Sequence, residues 1–174
     1  MALTKEQLDQ VEFKGEKRFL SNMYPCKIHF KEQYGVRELE HFPSDNKVYN
    51  STEHIYQAMK SDNEIWQELI LSQERPESTK TLARKKIKTL TSNEKDTFLQ
   101  KENWHDTKYD LMKRIVFLKF EQNKDLREKL CAIEGQIEER NYWGDTYWGT
   151  VNGIGENNLG KILMEVRDFF KNKR

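Results

Sequence analysis

Glu53, Gln57 and Lys60 fall within Ser51-Thr52-Glu53-His54-Ile55-Tyr56-Gln57-Ala58-Met59-Lys60. At about 100° per residue, a helix through this stretch puts Glu53, Tyr56, Gln57 and Lys60 on one face and Ile55, Ala58 and Met59 on the other. Such a row reads in two ways. It is either the solvent face of an amphipathic helix, or a functional row with an acid and an amine two turns apart. Ser51 and Thr52 supply N-cap chemistry. Glu53 then lies in the first turn, where the helix dipole favours an ionised carboxylate. That position suits a charge stabiliser or base better than a proton donor.

A second concentration of chemistry is Glu139-Arg140-Asn141-Tyr142-Trp143-Gly144-Asp145-Thr146-Tyr147-Trp148-Gly149, which holds two Trp, two Tyr, two acids and two Gly. Asp145 either caps a turn beside a core Trp148, or assists attack at a sugar carbon while the rings hold a base. Two carboxylates with stacking rings are what cleavage of a glycosidic bond requires. Its transition state resembles an oxocarbenium ion and needs negative charge, a proton for the leaving group and a placed nucleophile.

Other signals are weaker. Lys80, Arg84, Lys85, Lys86 and Lys88 form a basic run, read as a solvated face or a phosphate contact. Asn22, in Phe19-Leu20-Ser21-Asn22, either bonds a ligand or fixes a turn. Gly153-x-Gly155 ahead of Asn157-Asn158 is a possible phosphate seat at a helix start. His29, His41, His54 and His105 lack metal-ligand spacing, and Cys26 and Cys131 form no CxxC, so no metal is expected. No P-loop, GxSxG or GxGxxG occurs.

The bulk properties fit these readings. The 174 residues are 34% charged and carry a formal net charge of +1, which argues against a globally basic nucleic-acid binder. Mean hydropathy is −0.97, yet 11% of residues are aromatic, more than a disordered chain would show. One compact domain over residues 1–174 is expected. The start of the sequence has no long apolar run, so neither a secretory leader nor a membrane span is expected. Two free thiols suit a reducing, cytoplasmic setting.

The elements expected to position these residues are of both kinds. Val11–Phe13, Lys27–Phe30 and Val36–Glu40 read as strands, with a turn at Gln33-Tyr34-Gly35. Helices are expected from Ser51 to about Ser61, over Asn63–Ser72, from near Pro76 to about Lys88, after Trp104 to about Phe120, and over Asp125–Cys131. Gly135–Glu139 reads as a short strand entering the aromatic loop. Leu159, Ile162, Leu163, Val166 and Phe170 mark a last helix. The class is α+β, helix-rich with a small sheet.

In this order and spacing, the chain resembles the NADAR (YbiA-like) family. The resemblance rests on Phe19-Leu20-Ser21-Asn22, the Glu53–Lys60 block, Trp104 with Lys108 and Met112, Lys119-Phe120-Glu121-Gln122-Asn123, the Glu139–Gly149 loop, and Gly155-Glu156-Asn157-Asn158-Leu159-Gly160-Lys161-Ile162-Leu163-Met164. It covers roughly residues 13–170 and implies a compact α+β fold with cofactor-free N-glycosidase chemistry on a small ribosyl compound. Two substrate classes are implied, ADP-ribose on a guanine base, free or in nucleic acid, and phosphoribosylamino-pyrimidine intermediates of riboflavin synthesis. By position, Glu53 and Asp145 resemble the acidic pair. Lys60 resembles a phosphate ligand or a nucleophile at the anomeric carbon. Trp104 and Trp148 resemble ring contacts, and Asn22, Arg84 and Asn157 substrate contacts. Ala83 stands before Arg84 where the family usually has Gly. A non-catalytic ADP-ribose or NAD-binding module would use the same rings and cations but tolerate loss of the acids.

Overall fold

The computed structural model describes residues 13–31, 45–88 and 97–173. Backbone contacts divide the chain into two compact units, one of Met1–Ser21 with Asn123–Arg174, the other Asn22–Gln122. The mixed, helix-rich class expected from the pattern is present. The sheet content is two separate two-stranded pairs.

In the Asn22–Gln122 unit, β1 (Ile28–His29) pairs antiparallel with β2 (Val48–Tyr49), Ile28 opposite Tyr49. Helix α1 (Thr52–Ala58) follows and packs against α2 (Glu64–Leu71), α3 (Pro76–Lys86) and α4 (Trp104–Gln122). Between α3 and α4, β3 (Ile87–Lys88) pairs parallel with β4 (Phe98–Leu99). The first three helix starts have a local cause. Ser51 Oγ accepts from the His54 amide, Asn63 Oδ1 accepts from the Trp66 amide, and Pro76 occupies the first turn of α3. Trp66 is fully buried, and its Nε1 donates to the Gln57 carbonyl at 2.9 Å, locking α2 to α1.

The consequence for α1 is decisive. All seven of its residues are buried, polar and apolar alike. The row Glu53, Tyr56, Gln57 is therefore not a solvent face.

In the other unit, a 3-10 helix (Gly15–Leu20) precedes α5 (Lys124–Cys131) and α6 (Asn158–Asn172), which pack on each other. The α6 stripe buries Leu159, Ile162, Leu163 and Val166 as expected, while Phe170 is half-buried. Gly135–Glu139 is not a strand. This run makes no ladder, and pairing is confined to single bridges, Arg140 with Thr150 and Val151 with Ile154. The strand expected at Lys27–Phe30 is confined to two residues, and the expected α3 end at Lys88 is taken by β3. Val11–Phe13 lies almost wholly, and Gln33-Tyr34-Gly35 and Val36–Glu40 wholly, outside the described residues. Among the described residues no helix is long and apolar enough to cross a membrane.

The 137–139 segment lies tight on the start of α6. A Cβ on Gly160 would meet the Ile137 carbonyl oxygen at 2.3 Å and the Asn157 carboxamide at 2.5 Å. Gly160→Ala should therefore destabilise by about 1–3 kcal/mol, as overpacking against rigid neighbours does. Urea unfolding measures this, and a wild-type midpoint would contradict the close approach.

Candidate active site

The Asn22–Gln122 unit gathers an acid, an amine and aromatic rings around α1. Glu53 is 7% exposed, and its Oε1 accepts a 2.6 Å hydrogen bond from Gln57 Nε2, one turn on. Gln57 is 3% exposed, and its own Oε1 is buried with no hydrogen-bond partner among the described residues. Lys60 leaves α1 beyond the Met59 C-cap. Its Nζ lies 5.4 Å from the Tyr56 ring centroid and 5.8 Å from that of Trp104, rings themselves 4.9 Å apart. Trp104, the first residue of α4, is 4% exposed. Its faces are occupied by protein, so it walls the Lys60 ammonium through cation–π attraction rather than offering an open stacking surface.

Burial moves both pKa values. Desolvation raises the Glu53 pKa above the ordinary carboxylate value. The Gln57 hydrogen bond, Lys80 and Lys60 pull it down, and Glu77 pushes it up. Desolvation likewise lowers the Lys60 pKa, opposed by Glu53 and reinforced by Lys80 and Lys108. Both groups are thus moved toward their neutral forms. The first-turn dipole favours an ionised Glu53, but on a seven-residue helix enclosed by protein desolvation outweighs it. A carboxyl held toward its protonated form is suited to donate a proton, contrary to the reading from helix position alone.

Asn22 braces this arrangement. Its carbonyl accepts from the Glu53 amide at 3.1 Å, and Thr52 Oγ1 donates to both its carbonyl and its Oδ1. Its Nδ2 donates to Met112 Sδ at 3.4 Å. The side chain is committed at both ends, so it fixes the chain entering α1. Arg84 is exposed on α3, whereas Lys80, one turn earlier and half-buried, is the cation of that helix whose field reaches Glu53 and Lys60. Sequence reasoning placed Gln57 on the Glu53 face and Lys80 in the basic run but gave neither a role of its own. The shared helical face with Glu53 was the available signal for Gln57, and the basic run masked Lys80 among its neighbours. His54 uses both ring nitrogens, toward Ser51 Oγ and the Gln73 carbonyl, and is structural.

In the other unit, Asp145 does cap a turn. Its Oδ1 accepts from the amides of Tyr147 and Trp148 at 3.0 and 2.9 Å. Asn141 closes the turn from the other side, Oδ1 accepting from the Asp145 amide and Nδ2 donating to its carbonyl. Asp145 remains half-buried, with Oδ2 outside these bonds. Trp148 is half-buried and edge-on to Tyr147 at 4.8 Å. Asn157, at φ 53°, accepts from the Glu139 amide and donates to the Ile137 carbonyl, tying the loop to α6. The structure thus joins Glu53, Lys60, Trp104 and Asn22 in one unit, and Asp145, Trp148 and Asn157 in the other. Among the described residues no group of three or more His, Cys, Asp or Glu could hold a metal ion.

The chain is 32% identical over 152 residues to a riboflavin biosynthesis protein of Vibrio vulnificus, covering 86% of the chain but only 35% of that protein. It is 31% identical over 125 residues to the N-glycosidase YbiA of Escherichia coli, covering 71% of the chain and 72% of the relative. An N-glycosidase of Nostoc punctiforme is 29% identical over 156 residues, covering 87% and 85%. The NMR structure of E. coli YbiA superposes with a TM-score of 0.70 at 26% identity, covering 94% of this chain and 85% of that one. The NADAR domain matches residues 11–171, and the chain belongs to the NADAR domain family.

Proposed function

We propose that this protein is an N-glycosidase that hydrolyses the bond between the anomeric carbon of a ribosyl group and a base nitrogen. The observation that carries the proposal is the buried Glu53 with the half-buried Lys60, each group moved toward neutrality by desolvation. A neutral carboxyl donates a proton to a departing base, and a neutral amine is a nucleophile. N-glycosidase relatives support the reaction class. Relatives named for riboflavin biosynthesis, in Vibrio vulnificus and maize, support a phosphoribosylamino-pyrimidine as substrate.

In this reading Glu53 protonates the leaving nitrogen as the C1′–N bond breaks. Lys60 meets the cationic carbon, either as a covalent nucleophile or as an organiser of water and phosphate. Gln57 and Asn22 hold Glu53 in place, and Trp104 with Tyr56 confines the Lys60 side chain. Asp145, as second carboxylate, with Trp148, Asn157 and Arg84 as substrate contacts, enters through the family motifs rather than through geometry. Incubation with a phosphoribosylamino-pyrimidine and, separately, with ADP-ribosylated guanosine, followed by chromatography of the released base, tests the proposal. Release from the first is expected. Release from the second alone would reassign the substrate. Binding of either without release would favour the non-catalytic module and end the enzymatic reading.

A further inference from the structure

The carboxamide of Gln57 is used unequally. Its Nε2 donates to Glu53 Oε1 at 2.6 Å, while its own Oε1 is buried with no hydrogen-bond partner among the described residues. Both residues lie on the wholly buried α1 helix. The backbone of Gln57 is pinned as well, its carbonyl accepting from Trp66 Nε1 at 2.9 Å. A lone buried acceptor is costly, so the direction in which this carboxamide faces needs a compensating gain.

The gain lies in the two states that an acid visits during turnover. A neutral carboxyl has one carbonyl oxygen that accepts and one hydroxyl that donates, whereas an ionised one accepts at both oxygens. Turned with Nε2 toward Glu53, Gln57 matches both states without moving. Turned the other way, its oxygen would match the neutral state alone and would draw the proton onto Oε1. Once that proton left, acceptor would face acceptor.

We propose that Gln57 is a positioning residue that fixes the acidic proton of Glu53 on Oε2, by keeping Oε1 as the hydrogen-bonded carbonyl oxygen. This rests on the hydrolysis proposed above and names the atom that performs it. The Oε2 hydroxyl gives its proton to the base nitrogen, and the C1′–N electron pair goes to that nitrogen. The proton returns to Oε2 from the water whose oxygen joins C1′. Gln57 keeps its bond to Oε1 throughout. The charges bearing on Glu53 are Lys60 beyond the end of α1 and Lys80 and Glu77 on α3, while Lys108 on α4 acts on Lys60. From α2 the Trp66 indole faces Gln57. Of the influences that favour ionised Glu53, the Gln57 bond is larger than that of Lys80 or Lys60.

Infrared titration of the substrate-free protein tests the bond directly, the Glu53 carboxyl band being assigned by its absence in Glu53→Gln. Values of kcat and KM over pH test the consequence, with circular dichroism confirming that each variant is folded. Gln57→Met keeps the length of the side chain and removes donor and acceptor together. Its Glu53 acid band should move to higher frequency as the carbonyl loses its donor. The midpoint of that band should rise by about one pH unit, the worth of a hydrogen bond to a charged group. The falling limb of kcat/KM should move up with it. kcat should drop about ten- to a hundredfold with KM little changed, as misplacement of a reacting group does. Gln57→Glu matches Gln in length but presents an acceptor when ionised, so it should draw the proton onto Oε1 and lose more activity than Gln57→Met. The wild-type band needs no substitution at position 57, and a frequency typical of an unbonded acid carbonyl would overturn the proposal. So would an unmoved band in folded Gln57→Met, or wild-type activity in Gln57→Glu. If the bands behave as expected but wild type releases no base, the hydrolysis falls, and with it the catalytic use of Gln57, while the place of the proton on Oε2 stands.

Discussion

Glu53→Gln is expected to lower kcat about 10²–10⁴-fold, the usual contribution of a positioned acid or base, while making the protein more stable at neutral pH. The two effects share one cause. Burial raises the Glu53 pKa in the folded chain, so the native state binds more protons than the unfolded one above the ordinary carboxylate range. The sign follows directly. Stability is unaffected at pH values below the unfolded pKa, then falls as pH rises through the interval up to the folded value. Above that interval the full cost of an ionised, buried Glu53 is present. Gln removes the charge and keeps a carbonyl that accepts from Gln57 Nε2, so the thermal midpoint at pH 7 should rise. Wild type and variant should converge toward acid pH. Turnover and melting curves over pH check both halves. An equally active variant, or one less stable at neutral pH, would remove Glu53 from the proposed role.

Why Glu53 is buried and Lys60 half-buried was only partly legible in the sequence. The spacing of Glu53, Tyr56, Gln57 and Lys60 marks one helical face, and the Ser51 cap marks where the helix begins. Nothing in that spacing says what covers the face. The cover comes from α2, α3 and α4, which pack around a helix too short to have a solvent side. Trp104 shows the same limit. Its motif position suggests a contact with a ligand ring, yet its burial against Tyr56 is a tertiary fact. Helix α6 was readable because a fifteen-residue element repeats its apolar stripe several times. Strands of two residues such as Val48–Tyr49 and Phe98–Leu99 contain no full period, so alternation had nothing to report. Asp145 kept both of its readings open in the sequence. The structure realises the turn cap and leaves its chemistry to the family motif.

Lys60 separates two mechanisms, and its variants should differ sharply. In the covalent route the Lys60 amine bonds to C1′ as the base departs with a proton. The sugar ring then opens, its oxygen takes the second amine proton, and an imine joins C1′ to Nζ until water hydrolyses it. Borohydride would reduce that imine to a secondary amine, leaving the opened sugar on Lys60 as a mass increment in the peptide that contains it. Lys60→Arg is the sharper test, because it keeps a cation beside Tyr56 and Trp104 but supplies no nucleophile at accessible pH. A covalent Lys60 predicts that Arg and Met at this position lose activity alike, about 10²–10⁴-fold if the amine also shuttles the proton. A purely electrostatic Lys60 predicts that Arg retains most of it. Burial lowers the Lys60 pKa, so the free amine appears at lower pH than for an exposed lysine, and the rising limb of kcat/KM should lie below the ordinary lysine range. The falling limb belongs to deprotonation of Glu53, and because the two groups interact the apparent values describe the pair. With Lys60→Met the rising limb should vanish while the falling one persists. A trapped adduct together with an inactive Lys60→Arg would establish the imine. Full activity in Lys60→Arg with no adduct would leave Lys60 the work of holding charge near the anomeric carbon.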